Sequence, residues 1–417
     1  MVREGYKQTE VGVIPEDWNV KPVGEAFEIR NNLRLPISKR VRDSMRGQYP
    51  YYGPTSVQDC INEYRVEGEH ALIGEDGDHF LKWRDISMTL LVDGKFNVNN
   101  HAHIIKGVDN LTSWFYYFFA HKDLTPHLKR QGAGRYKLNK STLIDIPCAI
   151  PPLEEQRSIS QALSDVDALI AALDKTIAKQ RAIKTATMQQ LLTGKKRLPE
   201  FGEGKGDQQT EVGVIPKDWN VVTIREITSL VTNGFVGKAT NHYTDKDDGI
   251  TYIQGYNVEA NSFNFNGIKK VTPEFHRIHQ KSCLRKDDLL TIQTGEVGLT
   301  TIVPDSLVGA NCHALIISRF KKEKAYPWFY AHYFNSPIGR LRLRDLEVGT
   351  TMMHINVGEL LPWEVPYPPR LEEQRAIATV LSDMDTEIAA LETRIAKTQA
   401  LKQGMMQALL TGRVRLV

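Results

Sequence analysis

Four cysteines in 417 residues, none in a C-x-x-C pair, leave no material for a disulfide framework or a zinc module and fit a reducing cytosol. The opening Met1-Val2-Arg3-Glu4-Gly5 starts no signal peptide. No apolar run approaches the roughly 18 residues that a membrane span needs. These two absences predict a cytoplasmic protein with no membrane partner. An excess of one charge is missing too. The formal net charge is only +3, so any surface for nucleic acid must be local. Chemistry is equally scarce. Gly234-Phe235-Val236-Gly237-Lys238 has the wrong spacing for a phosphate loop and is followed by Ala239. No Gly-rich methyl-donor motif follows a strand, no Asn/Asp-Pro-Pro-aromatic motif is present, and no acid pair with a lysine suggests a nuclease. Among 12 histidines, His101 and His103 are the nearest candidates for a metal, but no carboxylate or cysteine stands at ligand spacing. The expectation is no catalytic residue, no metal and no cofactor bound by this chain.

What the sequence does contain is repetition. Leu153-Glu154-Glu155-Gln156-Arg157 returns as Leu371-Glu372-Glu373-Gln374-Arg375, and Leu191-Leu192-Thr193-Gly194 as Leu409-Leu410-Thr411-Gly412. Across 153–198 and 371–416, roughly 27 of 46 positions are identical, far above chance. Pro151-Pro152 and Pro368-Pro369 precede the two copies. A shorter lead motif, Gln8-Thr9-Glu10-Val11-Gly12-Val13-Ile14-Pro15, recurs as Gln209-Thr210-Glu211-Val212-Gly213-Val214-Ile215-Pro216, each followed by Asp-Trp-Asn-Val. The chain is a tandem duplication in the order lead motif, body, Pro-Pro, long helix.

The helices are read from their period. Ile159, Leu163, Val166, Ile170, Leu173 and Ile177 step by four and three, as do Ile377, Leu381, Met384, Ile388, Leu391 and Ile395. This spacing predicts a coiled-coil seam. Some 40 residues give a rod of roughly 60 Å. Two matching stripes in one chain can pack antiparallel. The seam turns polar at Gln180 and Lys184, and at Thr398 and Lys402, which marks a place for the pair to end or to meet a partner. The bodies, roughly 21–150 and 222–367, show no obvious likeness over most of their length. Strands are expected at 86–92, 103–105, 289–294, 300–303 and 315–317, and helices at 114–120 and 328–335. The class is α+β and multidomain: two mixed α/β bodies separated by two long helices packed as an antiparallel coiled coil, with pseudo-two-fold symmetry. The expected segments are 1–150, 151–198, a Gly-rich charged linker at 199–208, 209–367 and 368–417.

Basic residues cluster locally. Arg30, Arg34, Lys39, Arg40, Arg42 and Arg46 crowd the start of the first body. Lys129, Arg130, Gln131, Arg135, Tyr136, Lys137 and Lys140 occupy an acid-free stretch that also holds Gly132 and Asn139. In the second body Arg340, Arg342 and Arg344 form a cluster, and a segment with Gly349, Thr350, Thr351, His354 and Asn356 takes the place of 132–139. Such side chains can hold phosphates or read base edges. A basic run alone is more often a solvated face. Its recurrence in the same place in both halves makes DNA an equal reading.

The repeated Pro-Pro–Leu-Glu-Glu-Gln-Arg hinge, the helices ending Leu-Leu-Thr-Gly and the Gly-x-Ile-Pro-x-x-Trp lead at 12–18 and 213–219 resemble the specificity subunit of type I restriction–modification systems. Tyr49-Pro50-Tyr51-Tyr52-Gly53, Asn99-Asn100-His101-Ala102 and Asp287-Asp288-Leu289-Leu290 resemble marks of that family's target-recognition domains. The resemblance implies that each body reads one half of a bipartite, asymmetric site in double-stranded DNA and that the helices act as spacer. It implies docking of two modification subunits that methylate adenine with S-adenosylmethionine, and restriction subunits that use ATP and Mg2+. Two other classes stay open at this point: a coiled-coil adaptor that organises partner proteins without reading bases, and an enzyme with an unrecognised site.

Overall fold

The computed structural model describes residues 2–131, 135–202, 206–349 and 353–416. Packing divides the chain into two compact units: Met1–Asp174 with Thr393–Val417, and Lys175–Glu392. Each unit therefore contains one body, the beginning of one long helix and the end of the other.

In the first unit the lead motif is an antiparallel hairpin, Tyr6–Thr9 against Gly12–Pro15. A four-stranded antiparallel sheet follows in the order Glu28–Ile29, Ala102–Lys106, His70–Gly74, Thr89–Val92. His70–Gly74 is buried along its whole length, as expected of a strand covered on both faces. A second sheet runs Val57–Ile61, Arg46–Tyr52, Lys95–Val98, Val66–Glu67, with the two inner strands parallel. The helix Thr112–Ala120 presses Trp114, Phe115 and Phe119 into the core, where Trp18 of the lead motif meets Trp114 edge-on at 5.7 Å.

The second unit repeats this plan. Its antiparallel sheet runs Thr228–Asn233, Leu315–Phe320, Leu289–Ile292, Thr300–Ile302. Its second sheet again has a parallel pair, Ile250–Ile253 with Asn311–Cys312. The helix Pro327–Asn335 buries Phe329, 6.4 Å from Trp219. Thus the bodies share a central-sheet order that their sequences conceal, while the second sheet has four strands in the first unit and three in the second. Three expected strands shorten: 289–294 ends at Ile292, 300–303 ends at Ile302, and 86–92 loses 86–88, where the N–H groups of Asp85 and Ile86 both turn back to the Lys82 carbonyl and leave Ile86 exposed.

Both long helices, Leu153–Leu191 and Leu371–Leu409, have 39 residues. At 1.5 Å per residue each is about 58 Å long. The first seam positions serve as globular core. Ile159 and Leu163 join Trp18 and Trp114 together with Met406 and Leu409 from the end of the other helix. Ile377 and Leu381 do the same in the second unit with Met188, Leu191 and Leu192. Leu173, Ile177 and Ile388 are buried; Val166, Ile170, Met384, Leu391 and Ile395 are half-buried. Within the second unit, Lys184 pairs with Asp385 and Arg197 with Glu373, so partner numbers fall as numbers rise. Lys402–Asp167 (2.6 Å) and Arg415–Glu155 (2.6 Å) show the same antiparallel sense in the first. Gln180, Lys184 and Lys402 are thus paired across the helices, and Thr398 bonds the Arg394 carbonyl of its own helix. Lys184 and Lys402 mark no end to the helix packing.

The repeated motifs can now be read physically. Glu155 is buried, yet its carboxylate accepts from Trp18 Nε1 at 2.8 Å and from the Arg415 guanidinium at 2.6 and 2.8 Å. Arg415 also grips Asp17 at 2.7 and 3.0 Å and holds that carboxyl below its ordinary range. Glu373, Arg197 and Asp218 repeat the arrangement. Buried Gln156 accepts from Leu111 N–H and donates to the Pro151 carbonyl; Gln374 does so with Tyr326 and Pro368. Leu-Glu-Glu-Gln-Arg therefore ties lead motif, body and helix ends into one unit. Gly412 closes its helix at φ 66° and lies so near Pro15 that a Cβ would overlap the ring; Gly194, at φ 70°, stands equally close to Pro216.

Candidate nucleic-acid interface

At one end of the first unit three segments come together. The Glu75 N–H donates to the His101 carbonyl at 2.7 Å, Leu138 N–H to the Glu75 carbonyl at 2.7 Å, and Gly77 N–H to the Tyr136 carbonyl at 3.1 Å. The acid-free stretch forms a hairpin there, Lys129–Gln131 against Arg135–Lys137, in the register Lys129↔Lys137, Arg130↔Tyr136 and Gln131↔Arg135. Gly132 lies outside the described residues.

The second unit builds the same corner. Val348 and His354 exchange backbone hydrogen bonds at 2.9 and 3.0 Å, and Ile355 N–H donates to the Gln293 carbonyl at 3.1 Å. His354 bridges Thr294 as Lys137 bridges Asp76. Lys137-Leu138-Asn139 and His354-Ile355-Asn356 are therefore structural counterparts, each with a buried aliphatic residue in the middle and an Asn before a short helix. Thr350 and Thr351 lie outside the described residues.

The basic residues divide by environment. Arg34 turns inward: its guanidinium meets Glu75 at 2.8 Å and donates to His103 Nδ1 at 2.8 Å. Asn31 also donates to that nitrogen, so His103 carries its proton on Nε2 and gives it to the Leu138 carbonyl at 2.7 Å. Burial pushes the His103 pKa down to about 4. Arg34 thus supports the hairpin from beneath, and Lys137 reaches the same Glu75 at 3.5 Å. Arg42 is held by Asp59 at 2.5 Å and lies over the Tyr51 ring, while Arg30 pairs with Glu28. Lys39, Arg40, Arg46 and Lys140 are exposed. In the second unit, Arg340 bonds the Val297 carbonyl at 2.5 Å, and Arg342 donates to Tyr333 Oη while stacking over Trp363. Only Arg344 of that trio is exposed. Internal pairing removes Arg34, Arg42 and Arg342 from the outward set for one reason. The partners of Arg34 and Arg42 lie in other elements and that of Arg342 one helix back, where inspection of a basic run does not reach.

His101 and His103 enter different networks. His101 donates from Nδ1 to the Asp76 carboxylate at 2.8 and 3.0 Å and keeps 43% of its side chain exposed. Among the described residues no group of three or more His, Cys, Asp or Glu is placed to hold a metal. Asp76 and His101, and in the second unit Tyr252 and His313, were not among the expected interface residues. A signal existed: Asn99-Asn100-His101-Ala102-His103-Ile104-Ile105 is matched by Asn311-Cys312-His313-Ala314-Leu315-Ile316-Ile317.

Comparison with known proteins agrees in extent with the duplication. The family described as type I restriction modification DNA specificity domain matches residues 15–180 and again 216–401. The chain is 25% identical over 432 residues to the type I restriction enzyme MjaVIII specificity subunit of Methanocaldococcus jannaschii, covering 99% of this chain and 96% of that protein. It is 23% identical over 384 residues to the EcoBI specificity subunit of Escherichia coli, covering 89% of this chain and 77% of the relative. Among solved structures, the S subunit of a type I restriction–modification system from M. genitalium superimposes with a TM-score of 0.62 at 13% identity, over 94% of this chain and 96% of that one.

Proposed function

Because the chain belongs to the type I restriction–modification DNA specificity family, and is thus a non-catalytic recognition subunit, we propose that each of its units reads one half of a bipartite, asymmetric site in double-stranded DNA. The observation that carries this reading is the paired corner. Both units place an antiparallel pair at the same corner of the same sheet, each followed by an asparagine, Asn139 or Asn356, yet one offers Lys137 where the other offers His354. One frame with different contact residues suits two different half-sites.

Subunits of this family work with methyltransferase and restriction subunits. Two modification subunits would dock here, one on each copy of the scaffold. In support, the lead hairpins present the same sequence twice, with Val13 and Val214 exposed at equivalent positions, so one partner surface fits both. S-adenosylmethionine would be used by the modification subunits, ATP and Mg2+ by the restriction subunits. Helices of about 58 Å exceed the roughly 34 Å of one DNA turn and suit a spacer between half-sites. Among the described residues no helix is long and apolar enough to cross a membrane, and the working site would be the cytoplasm. Methylation-sensitive sequencing of a genome modified by the assembled complex tests the reading. One bipartite adenine motif that disappears when the chain is deleted is expected. An unchanged methylation pattern would leave the chain an adaptor that does not read DNA.

A further inference from the structure

The two bodies differ almost everywhere in sequence, yet they share Asn-x-His-Ala-x-Ile-Ile at 99–105 and 311–317. The Ile-Ile pair is explained by packing, since Ile104, Ile105, Ile316 and Ile317 are core residues of the central sheet strand. The histidine is not explained that way. His101 and His313 each stand where a strand of the parallel pair hands over to that central strand. His101 lies at the hairpin corner, where its carbonyl accepts from Glu75 N–H, while His313 is held against Ile253 and Tyr252 of the parallel strand and is only partly buried. Ala314, next to His313, is held at φ 47°, a left-handed conformation that an alanine rarely adopts. Each ring is also anchored by the same nitrogen. Nδ1 of His101 gives its proton to Asp76, and Nδ1 of His313 lies 3.0 Å from Tyr252 Oη. In both units Nε2 is the nitrogen left over.

A group that is the same in two units reading different bases belongs with what both half-sites share, the sugar–phosphate backbone. Resting on the reading above, we propose that His101 and His313 are equivalent DNA-phosphate contacts that set the register of each unit on its half-site through Nε2–H. With Asp76 on Nδ1 and a phosphate on Nε2, both sides of the His101 ring would meet an anion. His313 works as a neutral donor. Burial lowers its pKa and raises that of Tyr252, so the phenol keeps its proton, donates it to Nδ1 and leaves the ring proton on Nε2.

The test uses the complex of the full chain with its modification subunits, bound to a duplex carrying the methylated motif and to a scrambled duplex. Asparagine places its amide near Nδ1, keeping the internal anchor and removing the outward donor, whereas glutamine reaches towards Nε2. His101→Asn and His313→Asn are each expected to weaken binding to both duplexes about tenfold, with base preference unchanged. The glutamine variants are expected to stay within about threefold of wild type. The slope of log affinity against log salt should fall by about one for His101→Asn and stay near wild type for His313→Asn. The opposite ranking, with asparagine harmless and glutamine damaging, would reduce both histidines to internal struts. A changed preference at one base pair would make them base readers, and wild-type affinity in all four variants would remove them from the interface. Each of these outcomes overturns the proposal while the wild type still prefers its motif. A wild-type complex that cannot tell the two duplexes apart overturns the recognition reading itself.

Discussion

Asp167 and Asp385 occupy the same position on the two long helices, and each takes a lysine from the other helix, Lys402 or Lys184. What the body brings to that carboxylate differs. In the first unit Tyr117 donates to Asp167 at 3.0 Å; in the second, Asn261 donates to Asp385 at 3.2 Å, with His332 close by. The main clasps of the scaffold are duplicated, Arg415–Glu155–Asp17 as Arg197–Glu373–Asp218, while this contact from body to scaffold is solved twice by different means. A repeated frame with divergent inserts is what a frame with one task and inserts with two would require.

The strongest way to break this equivalence is to cut the buried anchor. Glu155→Ala leaves Arg415 without its inner partner and is expected to destabilise the first unit by roughly 3–5 kcal/mol, with Glu373→Ala costing the second unit about as much. Denaturant unfolding checks it. A large loss at one site and none at the other would contradict the duplicated frame. Next in size are the helix stops. Gly412→Ala or Gly194→Ala forces a Cβ into a left-handed residue and into a proline ring, for a loss of roughly 1–3 kcal/mol, seen as a lower Tm.

Acid should sharpen the comparison between bodies. His332 is buried near Lys184, and burial lowers its pKa to about 3. The unfolded chain, with a histidine near 6.5, binds the proton first, so stability falls as pH drops from about 6.5 towards 3. The slope is up to about 1.4 kcal/mol per pH unit for this group. His103, at about 4, does the same for the first unit from about pH 6.5 down to 4. Unfolding followed against pH should lose one of these contributions in His332→Phe and keep the other; an unchanged acid limb would show that His332 is not held neutral. The smallest effect separates arginines. Arg344→Ala should lower the salt slope of DNA binding by about one without changing Tm, whereas Arg34→Ala should lower Tm.

Much of this architecture could be read from the sequence, because the scaffold repeats without gaps and its apolar period is regular. The two long helices, the lead motifs and the matching places of 132–139 and 349–356 ahead of the Pro-Pro pairs belong to that legible part; the strand pairing of their described residues does not. Nor does the bodies' shared central-sheet order, since a strand order depends on pairings such as Ile105 with Ala71 that leave no local trace. Charge was misleading for a similar reason: Arg34 and Arg42 look like their exposed neighbours until Glu75 and Asp59 fold against them. The His-Ala-x-Ile-Ile repeat was visible, but it lay inside bodies judged dissimilar.

The central claim, one frame carrying two independent readers, is tested most directly by sequencing the methylated motif after changing one hairpin alone. With His354→Ala and Asn356→Ala together, one half of the bipartite motif should relax while the other half and the spacing between them stay as in the wild type. Relaxation of both halves, or a change in spacing with both halves intact, would contradict it.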